Sequence, residues 1–135
     1  MYKNILIPVA LDHGSDVSDE IKVARRLLSE GGKITLLSVV EQVPGYVAEY
    51  VTVKPESKIL NEVGARLEAI TEGQPDLIHV EVSGNPGVEI TNFADKCGAE
   101  LIVVGSHRPG LQEYFLGSTA SRVVRRAPCA VLVLR

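Results

Sequence analysis

Two groups of residues near the end of the chain have the types and spacing to hold an anion. The stretch GSHRPGLQEYFLGST opens on Gly105-Ser106-His107-Arg108-Pro109 and closes on Gly117-Ser118-Thr119-Ala120. An aliphatic run, ELIVV, precedes it, and a helical pattern follows. A loop of this kind joins the end of a strand to the start of a helix. The first turn of a helix leaves backbone N–H groups without partners and carries partial positive charge. Glycine lets a phosphate approach that backbone closely. Ser118 and Thr119 add hydroxyls, and Arg108 can add a charge-assisted contact. The plainer reading stays open beside this one. Gly117 or Ser118 can be an N-cap and nothing more, and Gly105 a turn at the end of a strand.

Other chemistries fit less well. The loop has no lysine and does not spell GxxxxGK[ST] or GxGxxG, so it is neither a P-loop nor a Rossmann fingerprint. His107 stands in the loop, where it can serve loop structure or contact phosphate, without a Ser/His/Asp arrangement at usable spacing. His13, His79 and His107 are scattered, and Cys97 and Cys129 lie far apart, so no zinc pattern is spelled. The net charge of −3 gives no electrostatic reason to expect nucleic acid. No apolar run reaches transmembrane length, and the N-terminus lacks a cleavage site, so a soluble cytoplasmic protein is expected. With 135 residues, one domain over 1–135 is expected. Only 4% of the residues are aromatic, so its core must be aliphatic.

The elements that position the loop follow from periodicity. Asn4–Ala10, Lys33–Val40, Ile78–Val82, Glu100–Ser106 and Ala130–Leu134 read as strands. Most are aliphatic on both faces, which suits a parallel sheet covered on two sides. Ile78–Val82 alternates, as an edge strand would. Helical stripes lie between them. The first carries Val17, Ile21, Ala24 and Leu28, with acidic residues early, basic residues late and a glycine stop in EGGK. The second carries Ile59, Val63, Leu67 and Ile70, between Pro55 and Gly73. The third begins at Pro86 behind Asn85 as N-cap, with Ile90, Phe93, Ala94 and Cys97 as its stripe and Gly98 as its stop. The fourth starts at Ser118, with Ala120, Val123, Val124 and Ala127 on one side and Pro128 after it. Arg122, Arg125 and Arg126 lie off that stripe and read as a solvated face. Strict β-α alternation predicts an α/β fold: one open parallel five-stranded sheet with helices on both faces. Glu41–Lys54 is the one long irregular connection, either functional or a cover for an apolar face. In such sheets ligands sit beyond the carboxyl ends of the strands, where strand order reverses.

Three stretches carry a resemblance over nearly the whole chain: KNILIPV, GNPGVEI and ELIVVGSHRPGLQEYFLGSTASRVVRRAPCAVLVLR. The chain resembles the universal stress protein family, in particular its small single-domain bacterial members with an SHRP…LGS loop. The resemblance implies a Rossmann-like sheet of order 3-2-1-4-5, adenine nucleotide (ATP or AMP, with Mg²⁺ only through the nucleotide) and a homodimer. The family pattern G-x2-G-x9-G-[ST] maps onto Gly105 and Gly117-Ser118. Arg108 stands where the middle glycine would be, and the loop is one residue shorter. The family's PxD at the end of strand one maps onto Pro8-Val9-Ala10, where alanine replaces the aspartate and Asp12 follows two positions later. Either Asp12 reaches the same place or backbone groups alone read the adenine; as a plain residue it is a turn former. Val39 and Val40 would wall the base, or serve only as core.

The resemblance thus implies an adenine-nucleotide-binding regulatory protein, not an enzyme, with an unknown protein partner and no membrane insertion. Ala130–Leu134, an apolar edge strand, would pair across a two-fold axis. Two alternatives remain: a nucleotide-free dimeric interaction module of the same fold, and a slow nucleotide hydrolase.

Overall fold

A computed structural model describes residues 1–10, 16–41, 56–105 and 117–135. Among the described residues, five strands, β1 (Tyr2–Pro8), β2 (Leu28–Val40), β3 (Leu77–Ser83), β4 (Leu101–Gly105) and β5 (Ala130–Leu134), alternate with four helices. The helices are α1 (Ser18–Leu27), α2 (Glu56–Thr71), α3 (Pro86–Cys97) and α4 (Ser118–Arg126). All pairings are parallel, in the order β3-β2-β1-β4-β5. The alternating strand β3 is indeed an edge.

Parallel pairing buries both faces of the central strands, because each crossover lays a helix on the sheet. Ile5 and Ile7 of β1, Ile34 and Leu36 of β2, and Leu101 and Val103 of β4 point to one side, against Ile21 and Ala24 of α1 and Leu67 of α2. Leu6, Leu37, Ile102 and Val104 point to the other, against Ile90 and Ala94 of α3 and Ala120 and Val123 of α4. The period-two alternation of a strand therefore decides which helix pair each side chain meets.

Two expectations are corrected. EGGK does not stop α1. That helix ends at Leu27 with Leu28 already extended, and residues 28–33 join β2. Tyr2 faces Leu28 and Asn4 faces Lys33, so β2 holds extra residues there. Gly31 absorbs them at φ 78°. Gly32 admits the close approach of the Leu28 side chain and the Lys3 carbonyl. Val124, placed on the apolar stripe of α4, is 45% exposed. One residue is 100° of helix, which carries it off the face shared by Ala120, Val123 and Ala127.

α3 ends where its sequence says: Gly98 takes the left-handed conformation, φ 70°, ψ 34°, and caps the last turn. The amino ends of the strands are laced together. Asn4 Nδ2 donates to the Cys97 carbonyl at 2.7 Å, and Lys33 Nζ to the Pro75 carbonyl at 2.9 Å. Arg25 on α1 grips Asp76 with two bonds, at 2.8 and 3.1 Å. That pairing holds Asp76 below and Arg25 above their ordinary ranges.

On β3, His79 is clamped between carboxylates, Nδ1 to Glu81 at 2.8 Å and Nε2 to Glu68 of α2 at 2.7 Å. The bond to Glu81 first, and that to Glu68 second, raise His79 above its usual 6.5. A raised value in the folded state adds stability that is complete below the unfolded value and disappears as pH climbs through the folded one. Urea unfolding of His79→Gln should therefore show a deficit of under about 1 kcal/mol at pH 6, shrinking towards pH 9. A deficit independent of pH would assign His79 a packing role only.

Candidate functional site

β1, β2 and β4 are neighbours and run the same way, so Pro8, Val40 and Gly105 end at one edge of the sheet. This is the reversal point, since the chain runs outward from β1 to β2 on one side and to β4 on the other. Pro8 closes β1, two residues earlier than the sequence reading, which had extended the strand to Ala10. Val9 is buried, its N–H donating to the Leu37 carbonyl at 2.8 Å, and Ala10 is exposed beyond it. At the end of β2, Val39 packs against the α3–α4 face. The Val40 carbonyl accepts from the Gly84 N–H at 2.9 Å, which ties the β3–α3 turn to this edge. Asp12, Ser106, His107, Arg108 and Pro109 lie outside the described residues, as does nearly all of Glu41–Lys54.

Two helices on one face begin at this end, and their first turns differ. α3 is closed by its own side chains. Asn85 accepts from the Val88 N–H, Pro86 has no N–H to leave free, and Glu89 places a carboxylate in the first turn. α4 has none of these. Its N-cap is Gly117, no side chain caps it, and its first turn holds no acidic residue. The Gly117 carbonyl accepts the first helical bond, from Ser121 N–H at 2.8 Å. The amides of Ser118, Thr119 and Ala120 precede it and have no partner within the helix. Ser118 is exposed, Thr119 half-buried, and Ala120 buried against the core. Among the described residues, nothing lies within 4 Å of where a Cβ would stand on Gly117. The sequence reading placed the anion here; among the described residues no side chain caps this end of α4.

Gly105 is different. A Cβ there would stand 2.6 Å from Glu20 Oε1. The room left by the absent side chain is taken by a carboxylate from α1. Alternation along β4 agrees, because Leu101 and Val103 face α1 and Gly105 continues their side. Glu20 Oε2 is buried and has no hydrogen-bond partner. Sequence reasoning treated Glu20 only as an acidic residue suited to the start of a helix. A sharper signal was present. Val17, Glu20, Ile21 and Ala24 fall at i, i+3, i+4 and i+7, so the carboxylate lies along the apolar stripe rather than opposite it.

An open cleft of about 650 Å³ lies elsewhere, between α2 and β3, lined by Glu68, Thr71, Gln74, Leu77, Ile78 and His79. It sits at the start of β3, the end of the sheet away from Gly117. Among the described residues no group of three or more His, Cys, Asp or Glu could hold a metal ion by itself. Nor is any described helix long and apolar enough to cross a membrane.

Comparison with known proteins agrees with the fold. Universal stress protein MJ0531 of Methanocaldococcus jannaschii is 36% identical over 146 residues, covering 100% of this chain and 83% of that protein. The solved structure of the hypothetical protein MJ0577 superposes with a TM-score of 0.80 at 26% identity, covering 99% and 96% of the two chains. A universal stress protein from Archaeoglobus fulgidus, solved in complex with dAMP, has the same fold at a TM-score of 0.62 and 24% identity, covering 99% and 98%. The Universal stress protein family profile matches residues 1–135, and the chain therefore belongs to the universal stress protein family.

Proposed function

We propose that the protein binds an adenine nucleotide, ATP or AMP, across the carboxyl ends of β1, β2 and β4, and acts by switching rather than by turnover. The observation that carries this reading is the uncapped start of α4, with Gly117 bare and the amides of Ser118, Thr119 and Ala120 free within the helix. Those amides and the helix dipole form an anion site, and the Ser118 and Thr119 hydroxyls can add donors. Pro8, Val9, Val39 and Val40 offer an apolar rim for the base, with Ala10 beside them. Asp12, Ser106, His107, Arg108 and Pro109 are proposed as further nucleotide contacts. The dAMP complex of the Archaeoglobus fulgidus protein lends family support. Mg²⁺ would enter with a triphosphate. No residue is assigned a catalytic role, and hydrolysis would be slow and incidental. Edge strand β5 is proposed as the seam of a homodimer, through two-fold pairing at the edge of the sheet. The regulated partner would read the surface that the ligand orders.

A specific observation favours the second reading, a nucleotide-free interaction module. Ala10 and Arg108 stand where the family pattern has an aspartate and a glycine. Calorimetric titration of nucleotide-stripped protein separates the two. The proposal expects saturable binding of ATP or AMP in the micromolar range, and the absence of binding below millimolar concentrations rejects it. Mass spectrometry of small molecules released on denaturation identifies the resident nucleotide.

A further inference from the structure

The chain has two cysteines, separated in sequence by β4 and α4, and the fold brings both to one face of the sheet. Cys97 is the last residue of α3, and Gly98 turns the chain there at φ 70°. After Ala99 and Glu100 the chain enters β4 at Leu101. Leu101 pairs with Ala130, so the start of β5 lies beside the start of β4. Cys129 immediately precedes Ala130. Val131 and Val133 of β5 pack against the α3–α4 layer, and Cys129 keeps their side of the strand. Cys97 packs against the same cluster from the end of α3. Asn4 Nδ2 donates to the Cys97 carbonyl at 2.7 Å, which holds that helix end over the sheet. Both thiols are half-buried, and they are near enough for charge on one to act on the other. Burial first, and Cys97 second, raise the Cys129 thiol above its ordinary value. A cysteine used only as a small hydrophobe needs no second cysteine beside it. Two that meet, each with partial access to solvent, have a chemistry that neither has alone.

We propose that Cys97 and Cys129 form a reversible dithiol–disulfide site which, on oxidation by a hydroperoxide, pins the end of α3 to the start of β5. Cys129 keeps its proton more firmly, so Cys97 meets the oxidant first. With hydrogen peroxide, the Cys97 thiolate sulfur attacks one oxygen and the O–O bond breaks. The departing hydroxide takes up a proton as water, and Cys97 is left as a sulfenic acid. The Cys129 thiolate then attacks that sulfur. The S–S bond forms, the S–O bond breaks, and hydroxide leaves as a second water. Two thiols and one peroxide thus give one disulfide and two waters. A dithiol reductant reverses the bond by exchange. The ring so closed contains β4 and α4, and the bond removes freedom chiefly from the unfolded chain. The site lies at the amino ends of the strands, away from Gly117, and is independent of the nucleotide reading.

The experiment treats the reduced full chain with hydrogen peroxide well below its Tm. Remaining thiols are blocked with N-ethylmaleimide, and peptides are mapped by mass spectrometry without reduction. The expected product, in most molecules, is a cross-link joining Cys97 to Cys129 within one chain. Tm should rise by about 5 °C or more on oxidation and return when dithiothreitol is added. Cys97→Ser and Cys129→Ser should show neither the cross-link nor the rise, and the surviving cysteine should proceed to sulfinic acid. In the unaltered chain, cross-links between chains as the main product, or separate sulfinic acids at the two positions, overturn the proposal. An internal cross-link that lowers Tm, or that forms only after denaturation, overturns it as well, because the native fold would then not hold the thiols in bonding reach.

Discussion

Gly117→Asp should weaken nucleotide binding by about two orders of magnitude and leave the fold intact or slightly firmer. Gly117 sits at φ −59°, ψ 158°, a backbone conformation open to any residue, and no described atom lies within 4 Å of the place a Cβ would take there. Nothing in the backbone therefore resists aspartate. Asp is among the best N-cap residues, and its carboxylate would accept from the free amides of the first turn. α4 opens with no acidic residue, so the added charge also suits its dipole. The fold should gain only a few tenths of a kcal/mol, about 0.3, because glycine is itself a fair N-cap, read as a small rise in Tm. The same carboxylate would occupy the anion site and repel phosphate. ATP affinity should fall about 100-fold or more, equivalent to roughly 2.7 kcal/mol. Gly117→Ala, which adds bulk without charge or capping, should fall between. Wild-type affinity in Gly117→Asp would show that phosphate does not use these amides and would remove the main support for nucleotide binding.

Why this position was legible in the sequence, and Glu20 was not, is a matter of range. A glycine before a serine at the start of an amphipathic stripe is a local signal, since capping involves a few consecutive residues. The element order was legible for a similar reason, because each aliphatic run and each stripe is read within its own window. The strand order came from family resemblance, as alternation and handedness narrow the topologies without choosing one. Glu20 meets Gly105 across 85 positions of sequence, and no window contains both. The clamp of His79 by Glu68 spans only 11 positions, but it joins α2 to β3 across a turn where no single periodicity holds, and in the sequence His79 is only a scattered histidine. The glycine stop of α1 was misread because a long-range packing demand overrode a local signal. Gly32 was needed bare beneath Leu28 and beside Lys3, so the glycine pair serves the sheet and not the helix end.

Leu67→Ala should give the largest loss of stability among single changes in α2. Leu67 is fully buried, while Val63 and Ile70 on the same stripe are only partly so. It reaches the face of the sheet carrying Ile5, Ile7, Ile34 and Leu36, all at 0% exposure. A strand-supported wall of that kind cannot collapse far into the space left behind, so the cavity term adds to the lost transfer energy. A cost of about 3 kcal/mol is expected, within the roughly 2–5 usual for such truncations. Against a total of about 5–15 kcal/mol for a domain, that is a large share, and Tm should fall by roughly 10 °C. Nucleotide supplies an internal control. Ligand that binds only the folded state adds about 2.7 kcal/mol at 100 times its Kd, whatever the starting stability. The start of α4 belongs to the other core cluster, on the opposite face of the sheet. Saturating ATP should therefore raise the stability of wild type and Leu67→Ala by equal amounts. A smaller increment in the variant would mean that the packing of α2 helps shape the site across the sheet, and that the two faces are not energetically independent.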